Sequence, residues 1–78
     1  MQTYRQTLGD QIRLARAMRR WSQEALALSA GLHRTHIGAI ERGEVSPEID
    51  TVEKIAKALG LEIWQLFKGD ISQLNGDP

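Results

Sequence analysis

Apolar residues recur along this chain at helical spacing, and turn residues divide them into five segments. Tyr4, Leu8, Ile12 and Ala15 fall at i, i+4, i+8 and i+11, one stripe of a first helix. Thr3 and Gln6 stand at capping-box spacing at its start. Gly9 interrupts the stripe at tolerable cost, and the helix is expected to end near Arg19-Arg20, with Trp21 then tucking into the core. Leu26, Ala27 and Ala30 share one face of a second helix. Ile37 and Ile40 point inward from a third, which leaves Arg34, Thr35, Gly38, Ala39 and Arg42 on its other faces. Gly43 is expected as its C-cap, and Glu44-Val45-Ser46-Pro47 as the loop that follows. A fourth helix starts near Ile49 or Asp50, with Asp50 and Glu53 at capping-box-like spacing. Its stripe is Val52, Ile55, Ala56 and Leu59, and Gly60 stops it. A short fifth helix carries Ile63, Trp64, Leu66 and Phe67, and residues 69–78 read as a frayed polar tail.

The span from Ser22 to Gly43 is the most informative. Ser22 is a good N-cap, because its hydroxyl can accept an orphan backbone N–H of the first turn. The full capping box is missing, since Ala25 stands where Glu or Gln would reach back. Glu24 still places negative charge near the positive helix end. Gly31 can take the left-handed conformation that turns the chain, and small Ala27 and Ala30 let the next helix approach. Two short helices joined this way have the geometry of a helix-turn-helix, whose second helix enters the DNA major groove. Gly38 costs that helix roughly 1 kcal/mol against Ala. A close approach to another backbone, or to DNA, would offset the loss.

From Leu8 to Phe67, about three quarters of the chain, the sequence resembles the xenobiotic-response-element (XRE) family of helix-turn-helix proteins. That family includes phage repressors and restriction–modification controller proteins. The matching residues include Leu8-Gly9, Ile12-Arg13, Arg16, Ser22-Gln23, Leu26-Ala27, Gly31-Leu32, Arg34-Thr35, Ile37, Ile40-Glu41-Arg42-Gly43, Pro47, Thr51, Ile55-Ala56, Ala58-Leu59-Gly60 and Leu66-Phe67. The resemblance implies an all-α, compact five-helix domain like that of lambda repressor over residues 1–68. It also implies a homodimer on a palindromic operator. Three positions depart from the family pattern: Arg20 where Gly is frequent, His33 where a capping Ser, Thr or Asp is frequent, and Glu62 where Ser or a similar cap is frequent.

The resemblance distributes roles along the chain. Arg34 and Thr35 hold positions that face the groove, and Arg can bond guanine O6 and N7. Gly38 and Ala39 are small where relatives place longer base-reading side chains, so close docking and DNA shape are expected to carry part of the specificity. Gln23 matches a phosphate-contacting position, and His36, Arg42, Arg20 and Ser46 are further phosphate candidates. Arg16 and Glu41 are implied to form an ion pair joining the first helix to the end of the recognition helix. Dimer contacts are implied on the last two helices, with Trp64 as an outward anchor beside Ile63 and Phe67.

Size and charge narrow the picture. Seventy-eight residues make one domain, marginally stable alone, which dimerisation would help. With no cysteine there is no disulfide framework and no thiolate zinc site, as fits the cytoplasm. No apolar run is long enough for a membrane span, and there is no signal-peptide pattern. The net charge of zero at first argues against nucleic acid. Its distribution answers that objection. Residues 1–42 hold seven Arg against Asp10, Glu24 and Glu41, four net positive charges; residues 43–78 hold Lys54, Lys57 and Lys68 against seven acids, four net negative. The chain is polarised, and its Arg residues all lie in the basic half.

The expected partner is therefore double-stranded DNA, with no cofactor. His33 and His36 lie at i, i+3, but no further Cys, His or acid is obviously placed to complete a metal site. No Gly-rich phosphate loop or Ser-His-Asp pattern points to catalysis. The leading expectation is a sequence-specific transcriptional regulator, by default a repressor or autoregulator. The alternative is an antitoxin-type or other protein-interaction module on the same fold, with a toxin or polymerase as protein partner.

Overall fold

Four of the five helices end in the same way, and those ends set the path of the chain. In a computed structural model, which describes residues 3–68, the helices are α1 (Tyr4–Met18), α2 (Gln23–Ala30), α3 (Arg34–Glu41), α4 (Ile49–Leu59) and α5 (Ile63–Lys68). No strand occurs among the described residues. Helices α1 to α4 are each followed by one left-handed residue: Arg20 (φ 59°), Gly31 (φ 72°), Gly43 (φ 72°) and Gly60 (φ 74°). After each, the next backbone N–H folds back onto the helix: Trp21 N–H to Arg16 O at 2.9 Å, Leu32 to Ala27 at 2.8 Å, Glu44 to Ala39 at 3.1 Å and Leu61 to Ala56 at 2.8 Å. These bonds satisfy carbonyls that the helix leaves open. Gly43 is therefore the residue after the cap, and Arg42, still right-handed, is the C-cap. At the end of α1 an arginine, Arg20, occupies the left-handed position.

The N-termini follow the sequence less uniformly. Thr3 and Gln6 form the full reciprocal capping box, and the Ser22 hydroxyl accepts the Ala25 N–H at 3.0 Å. The expected box of Asp50 with Glu53 does not form. Helix α4 begins at Ile49, one of the two expected starts, so its N-cap is Glu48, and that side chain makes no cap bond. His33 caps α3 through its backbone alone. At α5 the Gln65 side chain reaches back instead, accepting the Glu62 N–H at 2.8 Å.

The core gathers the predicted stripes. Leu8, Ile12, Leu26, Ile37, Ile40, Ile55, Leu59 and Leu66 are fully buried, with Ala15, Ala27, Val52 and Ala56 between them. Helix α1 packs on α3, α5 and α4, and α2 on α3 and α4. Trp21 is half-buried against this core, with the Arg19 guanidinium 5.7 Å from its ring centroid. Tyr4 departs from its stripe: it is 76% exposed and makes an edge-to-face pair with Phe67, at 6.2 Å between centroids. The tail predicted over residues 69–78 lies outside the described residues.

Gly9 corrects a second expectation. It does not merely interrupt α1; it lets α3 dock. A Cβ at this position would stand 2.5 Å from the Glu41 carbonyl oxygen and 2.6 Å from that of Ile40. Both are backbone atoms at the end of α3, so a side chain here would push that helix away.

Candidate nucleic-acid interface

Glu41, at the last turn of α3, is only 3% exposed. A buried carboxylate is costly unless paired and hydrogen-bonded, and here the groups around it hold three segments together. Arg16 of α1 donates from Nε to Oε2 at 2.7 Å and from Nη2 to Oε1 at 3.0 Å. Its Nη1 donates to the Trp21 carbonyl at 2.9 Å. Gln23, at the start of α2, donates from Nε2 to Glu41 Oε1 at 3.0 Å. Arg13 donates to the Glu41 backbone carbonyl at 3.0 Å. The hydrogen bond to Glu41 raises the Arg16 pKa above its ordinary value, against the opposing effect of burial. The implied ion pair of Arg16 and Glu41 is thus the centre of a clasp that fixes α3 against α1 and α2. Gln23 belongs to this clasp, beyond the phosphate role assigned to it from sequence.

With its far end clasped, α3 presents Arg34 and Thr35 on its first turn, both exposed. His36 and Ala39 are half-buried. Gly38 does not lie on an open face. It is buried, and the space its side chain would fill holds Arg42 Nη1 at 3.1 Å and the Gln23 amide at 3.6–3.7 Å. Arg42 in turn is bound by Glu44, Nε to Oε2 at 2.8 Å and Nη2 to Oε1 at 3.1 Å. This pairing raises the Arg42 pKa and lowers that of Glu44. Gln23, Gly38 and Arg42 therefore converge on one spot beside the α3 face. Arg20 is exposed at the end of α1. Ser46 stands apart, lining a cleft with Tyr4, Arg5, Leu8, Pro47 and Phe67.

The basic half is less open than the sequence count implies. Arg13 and Arg16 turn to Glu41, Arg19 donates twice to the Leu59 carbonyl at the end of α4, at 3.2 and 2.8 Å, and Arg42 is paired with Glu44. Among the described residues, Arg5, Arg19, Arg20 and Arg34 keep their charge without an acidic partner, and of these Arg19 is held by the Leu59 carbonyl.

At the other end of the chain, Trp64 is 53% exposed, with Lys68 Nζ 5.9 Å from its ring centroid. Together with Ile63 it borders a groove of about 270 Å3 completed by Glu53, Ala56, Lys57, Leu61 and Glu62. Phe67 does not join that groove; it turns to Tyr4 and the Ser46 cleft. Sequence reading missed Arg13, Arg19, Glu44 and Gln65. Only Gln65 left a signal, at three residues after Glu62, the spacing of a side chain that reaches back to an N-cap.

Among the described residues, no group of three or more His, Cys, Asp or Glu is placed to hold a metal ion. No helix there is long and apolar enough to cross a membrane.

Two tightly connected short helices, the second fixed at its C-terminal end and open at its N-terminal turn, define a helix-turn-helix domain. The helix-turn-helix family model HTH_3 matches residues 12–63, and the chain belongs to this family, the XRE type of the sequence resemblance. It is 42% identical over 66 residues to a hypothetical transcription factor of Neisseria meningitidis, covering 85% of this chain and 62% of that one. It is 50% identical over 52 residues to control protein C.BamHI of Bacillus amyloliquefaciens, covering 67% of this chain and 62% of that protein. The chain thus spans about three fifths of the length of these two curated relatives. Among solved structures, the controller protein C.AhdI of Aeromonas hydrophila superimposes with a TM-score of 0.77 at 34% identity, covering 80% of this chain and 94% of that one.

Proposed function

We propose that this chain is a sequence-specific DNA-binding transcriptional regulator, acting in the cytoplasm as a homodimer on a palindromic operator. The observation that carries this reading is the α3 arrangement. Arg34 and Thr35 project from its first turn, while the Glu41 clasp fixes its last turn to α1 and α2. A helix held this way enters the major groove with its base-reading turn already positioned, and no side chain has to order itself to hold the helix on binding. Arg34 bonds guanine in this reading, Thr35 meets a thymine methyl or a phosphate, and Ala39 allows close docking. His36, Arg20, Gln23 and the open first-turn amides of α3 steer the phosphates. The relatives that are controller proteins, repressors and transcription regulators support the same reading.

The dimer rests on α5 and the groove beside it, with Trp64 and Ile63 as anchors. Two recognition helices related by a two-fold axis then meet half-sites one helical turn apart, about 34 Å. Blocking polymerase is the default mode of repression.

The test is a fluorescence-anisotropy titration of the gene's own upstream DNA against a scrambled duplex of equal length, at physiological salt. The expected result is a preference of about 10³-fold or more. Equal, weak binding to both duplexes would count against autoregulation and direct the search to operators elsewhere.

A further inference from the structure

Position 38 lies one turn into the recognition helix, on the row of Thr35, and has no side chain. The space above it is filled from elsewhere. Arg42, one turn further on, lies on the same face as Thr35 and Gly38, and its Nη1 stands 3.1 Å from where a Gly38 Cβ would be. Glu44 holds the guanidinium there by its Nε–Nη2 edge. Glu44 can do so because left-handed Gly43 turns the chain back and the Glu44 N–H bonds to the Ala39 carbonyl, fixing its backbone to α3.

A guanidinium has five N–H donors in a rigid fork. The carboxylate takes one from Nε and one from Nη2. The remaining pair at the Nη1–Nη2 end stays parallel and unspent, the geometry that matches O6 and N7 of guanine. The Arg42 and Glu44 side chains are 57% and 55% exposed, so the pair lies at the surface. The carboxylate beside it offsets attraction to phosphate, while the acceptors on a base edge are neutral. The Gln23 amide, 3.6–3.7 Å from the same point, walls the other side of the notch.

We propose that Glu44 is a positioning residue that lays Arg42 across the Gly38 notch, and that Arg42 there reads a guanine on the second turn of α3. This rests on the DNA-binding reading above and adds a base-reading residue beyond the first-turn pair Arg34 and Thr35. Gly38 is the slot that admits Arg42.

The experiment is selection and sequencing from a duplex library with a randomised core, for the wild type, Glu44→Ala, Arg42→Ala and Gly38→Ala. Thermal melts by circular dichroism check the fold. Glu44 and Arg42 are exposed and Gly38→Ala favours helix, so all three variants are expected to fold. The wild type should require guanine at one further position per half-site, in addition to the position set by Arg34. Glu44→Ala should cut that preference about tenfold, with binding to a scrambled duplex unchanged or tighter. Gly38→Ala should cut it too, because its Cβ displaces the flexible end of Arg42.

If Glu44→Ala tightens binding to every sequence and keeps the preference, Glu44 only masks charge and the proposal fails. It also fails if Arg42→Ala weakens all sequences equally and lowers the salt slope by about 1, the signature of a phosphate contact. A wild-type motif without the second guanine refutes this proposal alone. No selected motif at all overturns the DNA-binding reading and this proposal together.

Discussion

Arg20 holds a left-handed backbone, φ 59°, that costs a residue with a Cβ about 1–2 kcal/mol. The Trp21-to-Arg16 bond that follows it needs this conformation, so the strain persists. Arg20→Gly relieves it at the expense of some unfolded-state entropy. We predict a net gain of about 1 kcal/mol, read as a melting temperature higher by roughly 4–8 °C; an unchanged or lower value would refute the strain. Arg34 poses the opposite case, since no partner among the described residues holds it. Arg34→Ala should leave the melting temperature unmoved and weaken specific binding by about 1–3 kcal/mol, relaxing one base position. Equal affinity and unaltered base preference in a competition titration would remove Arg34 from the reading surface.

At the scale of elements, the helices and their buried stripes were legible because periodicity reports which side of a helix leaves water. Val52, Ile55, Ala56 and Leu59 are buried as their spacing predicts. What a stripe does not report is the atom it meets. Gly9 looked like a tolerable flaw in α1 because its neighbours, the carbonyls of Ile40 and Glu41, are more than thirty residues away. Glu44 looked like loop because its role depends on a turn that brings it back over the helix it follows. The Arg16–Glu41 clasp was reached through family resemblance, whereas Arg13 and Gln23 joined it only in the structure. The packing of α1 on α3 gives a prediction at this scale. Gly9→Ala gains helix propensity, about 1 kcal/mol, but forces backbone apart, an overpacking that costs typically 1–3 kcal/mol and at times more. With two carbonyl oxygens inside 3 Å, the steric cost should win. We expect a net loss of about 2 kcal/mol by chemical denaturation, together with weaker DNA binding, because the same shift moves α3. A variant as stable as the wild type would mean that the two helices separate more easily than the clasp implies.

For the whole molecule, the count of charges by halves overstated the basic surface, because four of the seven Arg in residues 1–42 hold the fold or face Glu44. Three Arg without a structural partner give modest non-specific attraction, so affinity has to come from well-placed contacts, and the proposed dimer would add a second such surface. A second binding event made intramolecular by dimerisation multiplies affinity without any new contact. That requirement directs attention to the α5 end, where Trp64 is more than half exposed beside a groove with apolar Ile63, Leu61 and Ala56 in its wall. An exposed Trp at the mouth of such a groove is the kind of residue that anchors an interface. It also gives a substitution that leaves the core alone. Trp64→Glu places a charge where the partner's anchor would sit, next to Glu62 and Glu53. On the proposed dimer, we predict monomers by light scattering at concentrations where the wild type is expected to pair. Binding to a single half-site should be retained and binding to the full operator weakened. A dimer of unaltered mass would move the interface away from α5, and full-operator affinity surviving in a monomer would mean that each chain reads its half-site independently.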